Sequence, residues 1–305
     1  MFKLLFYKKY DKILIYQGGI FYMTNEFVEK MALQAYNLSQ IQHRDFLYYL
    51  YDRTNENLTE FFKIYQSFIY NKDVLSVLAS SDQLLSCKLL KCRSVDAFDR
   101  VYISLYYYYL RKWLILHNNS FYPSYKFFYD GDKELYELIL SINPESRDEE
   151  EAQLFWKKYM EYNNYKTDDY LFCIAVCDQP KPFDRKINIV KTFFDNPLRF
   201  YCFDIFSKVP INKRYDVIIL SNMLEYHKNN EQLIMARDNI ESLLKDDGLV
   251  LCSYKIYDHN SKEHLEEVDI LTSNRLDLFY ENHVYYEPLI GGNKDLAYSY
   301  KLKKK

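Results

Sequence analysis

The chain has 305 residues, 49% of them apolar and 27% charged, with a formal net charge of −3. That length and apolar share suffice for one large core or a core with an elaborated cap. The mixed, near-neutral charge and the absence of a Lys/Arg stripe argue against a nucleic-acid partner. No apolar run reaches the roughly 18 residues a membrane-spanning helix needs, so no transmembrane segment is expected.

Residues 1–22 hold apolar patches broken by Lys8, Lys9, Asp11 and Lys12, and they lack the unbroken apolar centre and small-residue cleavage site of a secretory signal. Gln17-Gly18-Gly19 stands a few codons before Met23 and is compatible with a bacterial ribosome-binding sequence read in frame. Met23 is therefore the expected natural start, with 1–22 as an upstream extension.

From Thr24 the pattern is helical: Thr24 or Asn25 can cap, Glu26 and Glu29 suit a first turn, and Phe27, Met31, Ala35 and Leu38 recur at helical intervals. Further helical pattern covers Phe46 to Tyr51 and Phe61 to Tyr70, giving a helical amino-terminal segment over 23–72 that would cover one edge or the mouth of a sheet.

The central signal follows. Asp73-Val-Leu-Ser-Val-Leu is an apolar run that enters the small-residue turn Ala79-Ser80-Ser81 and closes on Asp82. Leu84, Leu85, Leu89 and Leu90 then make a helix, and Ser94-Val-Asp-Ala-Phe-Asp99 is a second strand ending in a carboxylate. This is a strand, loop, helix, strand unit of an open parallel sheet, where ligands sit beyond the carboxyl ends of the strands. The interval between Asp82 and Asp99 fits the roughly 20 residues of a nucleoside-binding unit, whose second-strand acid takes the ribose hydroxyls.

Ile103 to His117 reads as a helix with a core-facing aromatic stripe, and the next strand, Arg199 to Asp204, comes only after a long helical and acidic region that includes Glu145 to Glu151, Phe155-Trp156 and Tyr170 to Val176. That region is expected to be a helical cap inserted over 118–196 into an α/β domain spanning 73–305. Tyr215 to Asn222 reads as a buried strand, followed by a turn over Met223 to Tyr226. Asn230 to Leu244 reads as a helix stopped at Asp246-Asp247-Gly248, and Leu249 to Tyr254 as a strand. Val284 to Leu289 and Leu296 to Leu302, separated by Gly291-Gly292, form an expected antiparallel pair at the sheet's far edge. The basic tail Lys301 to Lys305 reads as a solvated terminus.

The six cysteines sit mostly inside apolar runs, as reduced core thiols of a cytoplasmic protein do. Cys173 and Cys177 are four apart but no matching pair accompanies them, so no metal is expected. The 33 tyrosines and 21 phenylalanines are interleaved with acids, which fits AT-rich coding rather than a base-stacking surface.

The element order is that of an α/β, Rossmann-like, class I methyltransferase fold. The Val74 to Asp99 unit, together with Asp216-Val-Ile-Ile-Leu-Ser-Asn-Met-Leu-Glu-Tyr226, resembles a bacterial group of S-adenosylmethionine-dependent proteins. That group is related to the diacylglycerol aminocarboxypropyl transferases of betaine-lipid synthesis. The resemblance implies S-adenosylmethionine as cofactor, with Ala79, Ser80, Ser81 and Asp82 around its amino acid end, Asp99 on the ribose and Asp204 near the adenine. Ser221 and Asn222, with Glu225 behind them, would face the sulfonium and a small-molecule or lipid acceptor, and Asn222 and Glu225 are the implied catalytic residues. The group usually shows Gly-Ser-Gly-Asp where this chain has Ala79-Ser80-Ser81-Asp82, which puts cofactor binding at stake because glycine permits positive φ.

Transfer of a methyl or aminocarboxypropyl group is thus one expectation, and a non-catalytic binding or regulatory protein on the same scaffold is the other. A nicotinamide oxidoreductase is disfavoured because no glycine lies between Gly19 and Gly131 to cradle a pyrophosphate. Adenine methylation is disfavoured too, since Ser221-Asn222-Met223-Leu224 lacks the Pro-Pro-aromatic sequence that reaction normally uses.

Overall fold

The computed structural model describes residues 23–39, 50–51, 54, 56–123, 133–164, 172–173, 181–252, 262–272, 275–285 and 294–303. The expected extension 1–22 lies outside them. Strands in chain order are β1 (Leu50–Tyr51), β2 (Asp73–Val77), β3 (Ser94–Asp99), β4 (Phe172–Cys173), β5 (Phe200–Cys202), β6 (Tyr215–Ser221), β7 (Leu244–Cys252), β8 (Leu276–Tyr285) and β9 (Lys294–Leu302). β1 and β4 form a two-residue parallel pair, and the other seven make one sheet in the order β5-β3-β2-β6-β7-β9-β8. β5, β3, β2, β6 and β7 run parallel, whereas β9 is antiparallel to both β7 and β8.

The strands read as near-continuous apolar runs because both faces are covered. Successive side chains leave a strand on opposite faces. Accordingly Val74, Val217, Ile219, Leu249 and Leu251 pack with Leu58, Phe61, Phe62 and Tyr65 of helix α2 (Leu58–Ile69). Their neighbours Leu75, Ile218, Leu220, Val250 and Cys252 turn the other way, onto Ala236, Ile240 and Leu243 of helix α8 (Asn230–Leu243). Helix α2 starts where Asn57 accepts a hydrogen bond from Glu60 N at 3.1 Å, a side-chain cap on an orphan amide.

The remaining helices gather toward the β3 and β5 side. They are α1 (Asn25–Ser39), α3 (Asp82–Leu89), α4 (Tyr102–Trp113), α5 (Lys133–Ser141), α6 (Arg147–Tyr162) and α7 (Ile187–Lys191), whereas α9 (Lys262–Thr272) lies at the opposite edge beside β8. Helix α4 is apolar or aromatic nearly all round, as a buried helix must be, with Tyr106, Tyr107, Tyr108, Tyr109 and Trp113 all in the core. It packs on α6, where Trp156 Nε1 donates to Tyr106 O at 2.8 Å, and α1 packs on α6 as well. The chain leaves α4 through a π-helical turn, Leu114–Asn118, ended by Asn119 in the left-handed region.

Several sequence expectations shift here. The helical reading of Phe46 to Tyr51 ends instead in β1, and that of Tyr170 to Val176 contains β4; the rest of both stretches lies outside the described residues. Helix α8 runs into β7 at Leu244 without the expected stop, and β7 pairs with β6 first at Leu244 and again from Leu249, with a register shift between. Lys245 to Gly248 occupy that irregularity. A Cβ on Gly248 would stand 2.8 Å from Lys245 O, so the close backbone approach explains the glycine. The far-edge pair is present, but its first strand is Leu276–Tyr285, earlier than the Val284 to Leu289 read from the sequence.

At the amino ends of the parallel strands a charged network stitches β2, β3, β6 and β7 together. Asp73 receives Arg93 Nε and Ser94 Oγ at 2.8 Å each and Lys245 Nζ at 2.8 Å, while Lys245 also reaches Asp216 at 3.0 Å. The Arg93 guanidinium, helped by Lys245 and Ser94, holds the Asp73 carboxyl well below the usual range. A depressed folded-state pKa adds stability that is fully present above the unfolded value, about 3.9, and is lost as pH falls below it. Between pH 5 and pH 2 the unfolding temperature of Asp73→Asn is therefore expected to fall less steeply than that of the unsubstituted chain, as measured by thermal melts across that range.

Candidate functional site

The parallel strands β2, β3, β5 and β6 all end on one side of the sheet, and the implied site residues follow from that. Ala79 to Asp82 leave β2, Asp99 ends β3, Asp204 follows β5, and Ser221, Asn222 and Glu225 close β6. The structure thus brings the sequence-derived residues to one edge, at the reversal in strand order where β2 lies between β3 and β6. Such a switch point is where open α/β sheets bind ligands.

The turn after β2 keeps a backbone suited to glycine. Ala79 has φ 41° and Ser81 φ 66°, and across the gap Ser221 has φ 55° at the end of β6, beside a register shift. Left-handed residues elsewhere in the described chain are Asn, Asp, Lys or Arg, but here they are Ala and Ser. Each costs roughly 1–2 kcal/mol relative to glycine, and such strain persists only where the surroundings fix it.

Two carboxylates anchor this turn. Asp99 accepts from Ala79 N at 3.0 Å and from Val101 N at 3.3 Å, with Ser104 as a further donor. Its burial pushes its pKa up against those hydrogen bonds. A carboxylate offers about four acceptor sites, so Asp99 retains capacity for a hydroxyl. Asp82 is differently placed. It is 0% exposed and takes Thr54 N at 2.6 Å, Ser80 Oγ at 3.0 Å, Arg111 Nη1 at 2.8 Å and Tyr122 OH at 3.1 Å. These donors use up its acceptor sites, so its work in this arrangement is to hold the turn. Ser80 and Ser81 are likewise buried, with Ser81 Oγ donating to Ser80 O.

Two residues that sequence reasoning missed complete the edge. Arg111, on α4, is 1% exposed and lies under the turn: Nη1 donates to Ser80 O, Ser81 Oγ (3.1 Å) and Asp82, and Nε donates to Phe121 O (2.9 Å). Its guanidinium carbon sits 4.5 Å from the Tyr122 ring centroid, and its buried Nη2 has no hydrogen-bond partner among the described residues. Glu56 precedes α2 and accepts from Ser221 Oγ and, at 2.9 Å, from Gln83 Nε2, tying the amino-terminal segment across the ends of β2 and β6. An Arg inside an aromatic helix, Arg111-Lys112 among Tyr106 to Trp113, is the sequence signal that could have found the first; nothing near Glu56 marks it. Glu56→Ala is expected to cost about 1–3 kcal/mol, because it leaves Ser221 and Gln83 buried without their acceptor; a denaturant titration checks it.

Asp204 caps its own turn, accepting from Phe206 N at 3.0 Å. Asn222 Nδ2 donates to Tyr226 OH at 3.2 Å across the 3₁₀ turn Met223–Tyr226, which also carries Glu225. Numbered within the sheet, the strand order is third, second, first, fourth, fifth, seventh, sixth, with the seventh antiparallel. The fold is class I methyltransferase-like.

No family model and no curated protein matches the chain. Among solved structures it is similar to the N-methyltransferase NodS from Bradyrhizobium japonicum WM9 in complex with S-adenosylhomocysteine, at 10% identity and TM-score 0.43 over 91% of this chain and 99% of that one. It is also similar to the 1,6-didemethyltoxoflavin-N1-methyltransferase of Burkholderia thailandensis with bound substrate and S-adenosylhomocysteine, at 9% identity and TM-score 0.44 over 94% and 93%. The glycopeptide N-methyltransferase MtfA is a third, at 8% identity and TM-score 0.42 over 82% and 97%. At such distances the strand order, and not the overlay, defines the fold.

Proposed function

We propose that the chain is an S-adenosylmethionine-dependent transferase that moves a methyl or an aminocarboxypropyl group to a small-molecule or lipid acceptor. The observation that carries this is the turn of β2: Ala79 and Ser81 are held at positive φ beside the Asp99 carboxylate, although neither is glycine. Strained backbone of this kind clusters at ligand clamps and active sites.

The residues fit the cofactor at Asp99, which retains acceptor capacity at the tip of β3, and at the buried Arg111 Nη2 and Gln83 Oε1 beside the turn, which have no hydrogen-bond partner among the described residues. Asp99 would hold the ribose, Asp204 the adenine side, and the turn the amino acid end. When bound, the cofactor supplies an electrophilic carbon next to a sulfonium. For that chemistry the chain need only orient the acceptor in line with that carbon and exclude water. Ser221 and Asn222 would line the acceptor side, and Glu225 would take the proton the acceptor releases. No helix among the described residues is long and apolar enough to cross a membrane.

The second reading, a non-catalytic binding protein, draws on the Asp82 carboxylate, whose acceptor sites are filled by protein donors, and on the β-carbons at Ala79 and Ser81. Calorimetric titration with S-adenosylmethionine and S-adenosylhomocysteine separates the two. Binding of both, followed by product mass analysis showing an acceptor heavier by one methyl or one aminocarboxypropyl group, is expected. Absence of heat with either ligand would overturn the transferase reading.

A further inference from the structure

The turn after β2 poses a physical problem: two residues with side chains occupy left-handed backbone, and something must hold them there. Besides the carboxylates of Asp82 and Asp99, one side chain from another element reaches it. Arg111 crosses from α4 and places one nitrogen, Nη1, on the carbonyl of Ser80, the hydroxyl of Ser81 and the carboxylate of Asp82. Those three acceptors belong to consecutive residues, and Ser80 is flanked on both sides by a positive φ. The carbonyl of Ser80 is turned inward toward the guanidinium, which fixes the peptide between Ser80 and Ser81. Arg111 is itself fixed from behind, by Phe121 O on Nε and by the Tyr122 ring under its guanidinium.

We propose that Arg111 is a positioning residue that stands in for the absent glycines of this turn: it holds Ala79 and Ser81 at positive φ and so keeps Ala79 N on Asp99. A lysine would keep the positive charge opposite Asp82. It lacks the Nε donor that reaches Phe121 O and the flat guanidinium that lies over Tyr122, so nothing braces its nitrogen against the three acceptors, and Arg111→Lys separates turn-holding from charge neutralisation.

The test compares four proteins: the unsubstituted chain, Arg111→Lys, the pair Ala79→Gly with Ser81→Gly, and all three changes together. In thermal melts the glycine pair is expected to raise the unfolding temperature by a few degrees. Arg111→Lys is expected to lower it by about 5 °C in the native turn and by less than half of that in the glycine turn. If Arg111→Lys does not fold in the native turn, folding of the triple variant is the same rescue. An equal loss in both turns, or failure of both Arg111→Lys proteins to fold, would overturn the proposal and leave Arg111 as a packing residue whose contacts with Phe121 and Tyr122 matter independently of the turn.

A second arm rests on the transferase reading. Calorimetry with S-adenosylhomocysteine should show about tenfold weaker binding for Arg111→Lys, restored in the triple variant. Should the unsubstituted chain bind no S-adenosylhomocysteine, the transferase reading fails while the melts still decide the role of Arg111. A tenfold loss that the glycines do not restore would count against the proposal.

Discussion

Asp99→Asn is expected to weaken binding of S-adenosylhomocysteine about 100-fold or more while leaving the chain folded. The carboxylate ends β3 with one oxygen on Ala79 N and the other on Val101 N, and what it has left for a ligand is negative charge and a free acceptor site. An amide keeps one acceptor but points an N–H at whatever the second oxygen accepted from. Losing one charge-assisted hydrogen bond to a ribose hydroxyl is a change of about 3 kcal/mol, close to the 100-fold stated. Stability should respond differently. Burial raises the Asp99 pKa, so the folded chain keeps that proton to higher pH than the unfolded chain does. Stability contributed by this group therefore falls as pH rises from the unfolded value, about 3.9, through the raised folded one, and stays lower above it. Asp99→Asn removes that fall, which offsets the hydrogen bond it loses; melts at pH 4 and pH 7 should differ less in the variant than in the unsubstituted chain.

Removing Arg111 altogether should have the largest effect on stability. Arg111→Met leaves the Asp82 carboxylate, 0% exposed, without its cation and takes the Arg111 donors away from Ser80 O and Phe121 O. Breaking a buried pair from one side costs about 3–5 kcal/mol, which for a chain of this length lowers the unfolding temperature by about 10 °C. Replacing both partners together, Arg111→Met with Asp82→Asn, should recover a good part of the loss, because the penalty comes mainly from the stranded charge. A denaturant-midpoint comparison of the two variants checks this; equal losses would mean the ion pair contributes little.

The fold was legible where strand and turn chemistry was local. Asp73 to Val77, Ser94 to Asp99 and Tyr215 to Ser221 are apolar runs buried on both faces, and each ends in residues that cannot continue such a run. The edge strand β8 was harder, because Leu278 and Phe279 are exposed and Asp277 and Glu281 interrupt it, so neither face gives a clean alternation. β1 and β4 are two residues each, below what any periodicity can reveal. Strand ends read from the sequence put Asp99, Asp204, Ser221 and Asn222 at one edge of the sheet, while the roles given to Asp204, Ser221 and Asn222 there rest on the resemblance. The different duty of Asp82 was not legible, since it depends on Arg111 and Thr54, 29 and 28 residues away along the chain. Glu56 was hidden for the same reason: its partners Gln83 and Ser221 are distant in sequence and meet only when β2 and β6 pair.

A crystal structure grown with S-adenosylhomocysteine tests the account most directly. Ribose hydroxyls within hydrogen-bond distance of Asp99, with Ala79 and Ser81 still at positive φ beneath the amino acid tail, is the predicted result. A nucleoside bound elsewhere on the chain, or an Asp99 that contacts only Ala79, Val101 and Ser104 in the complex, would contradict it.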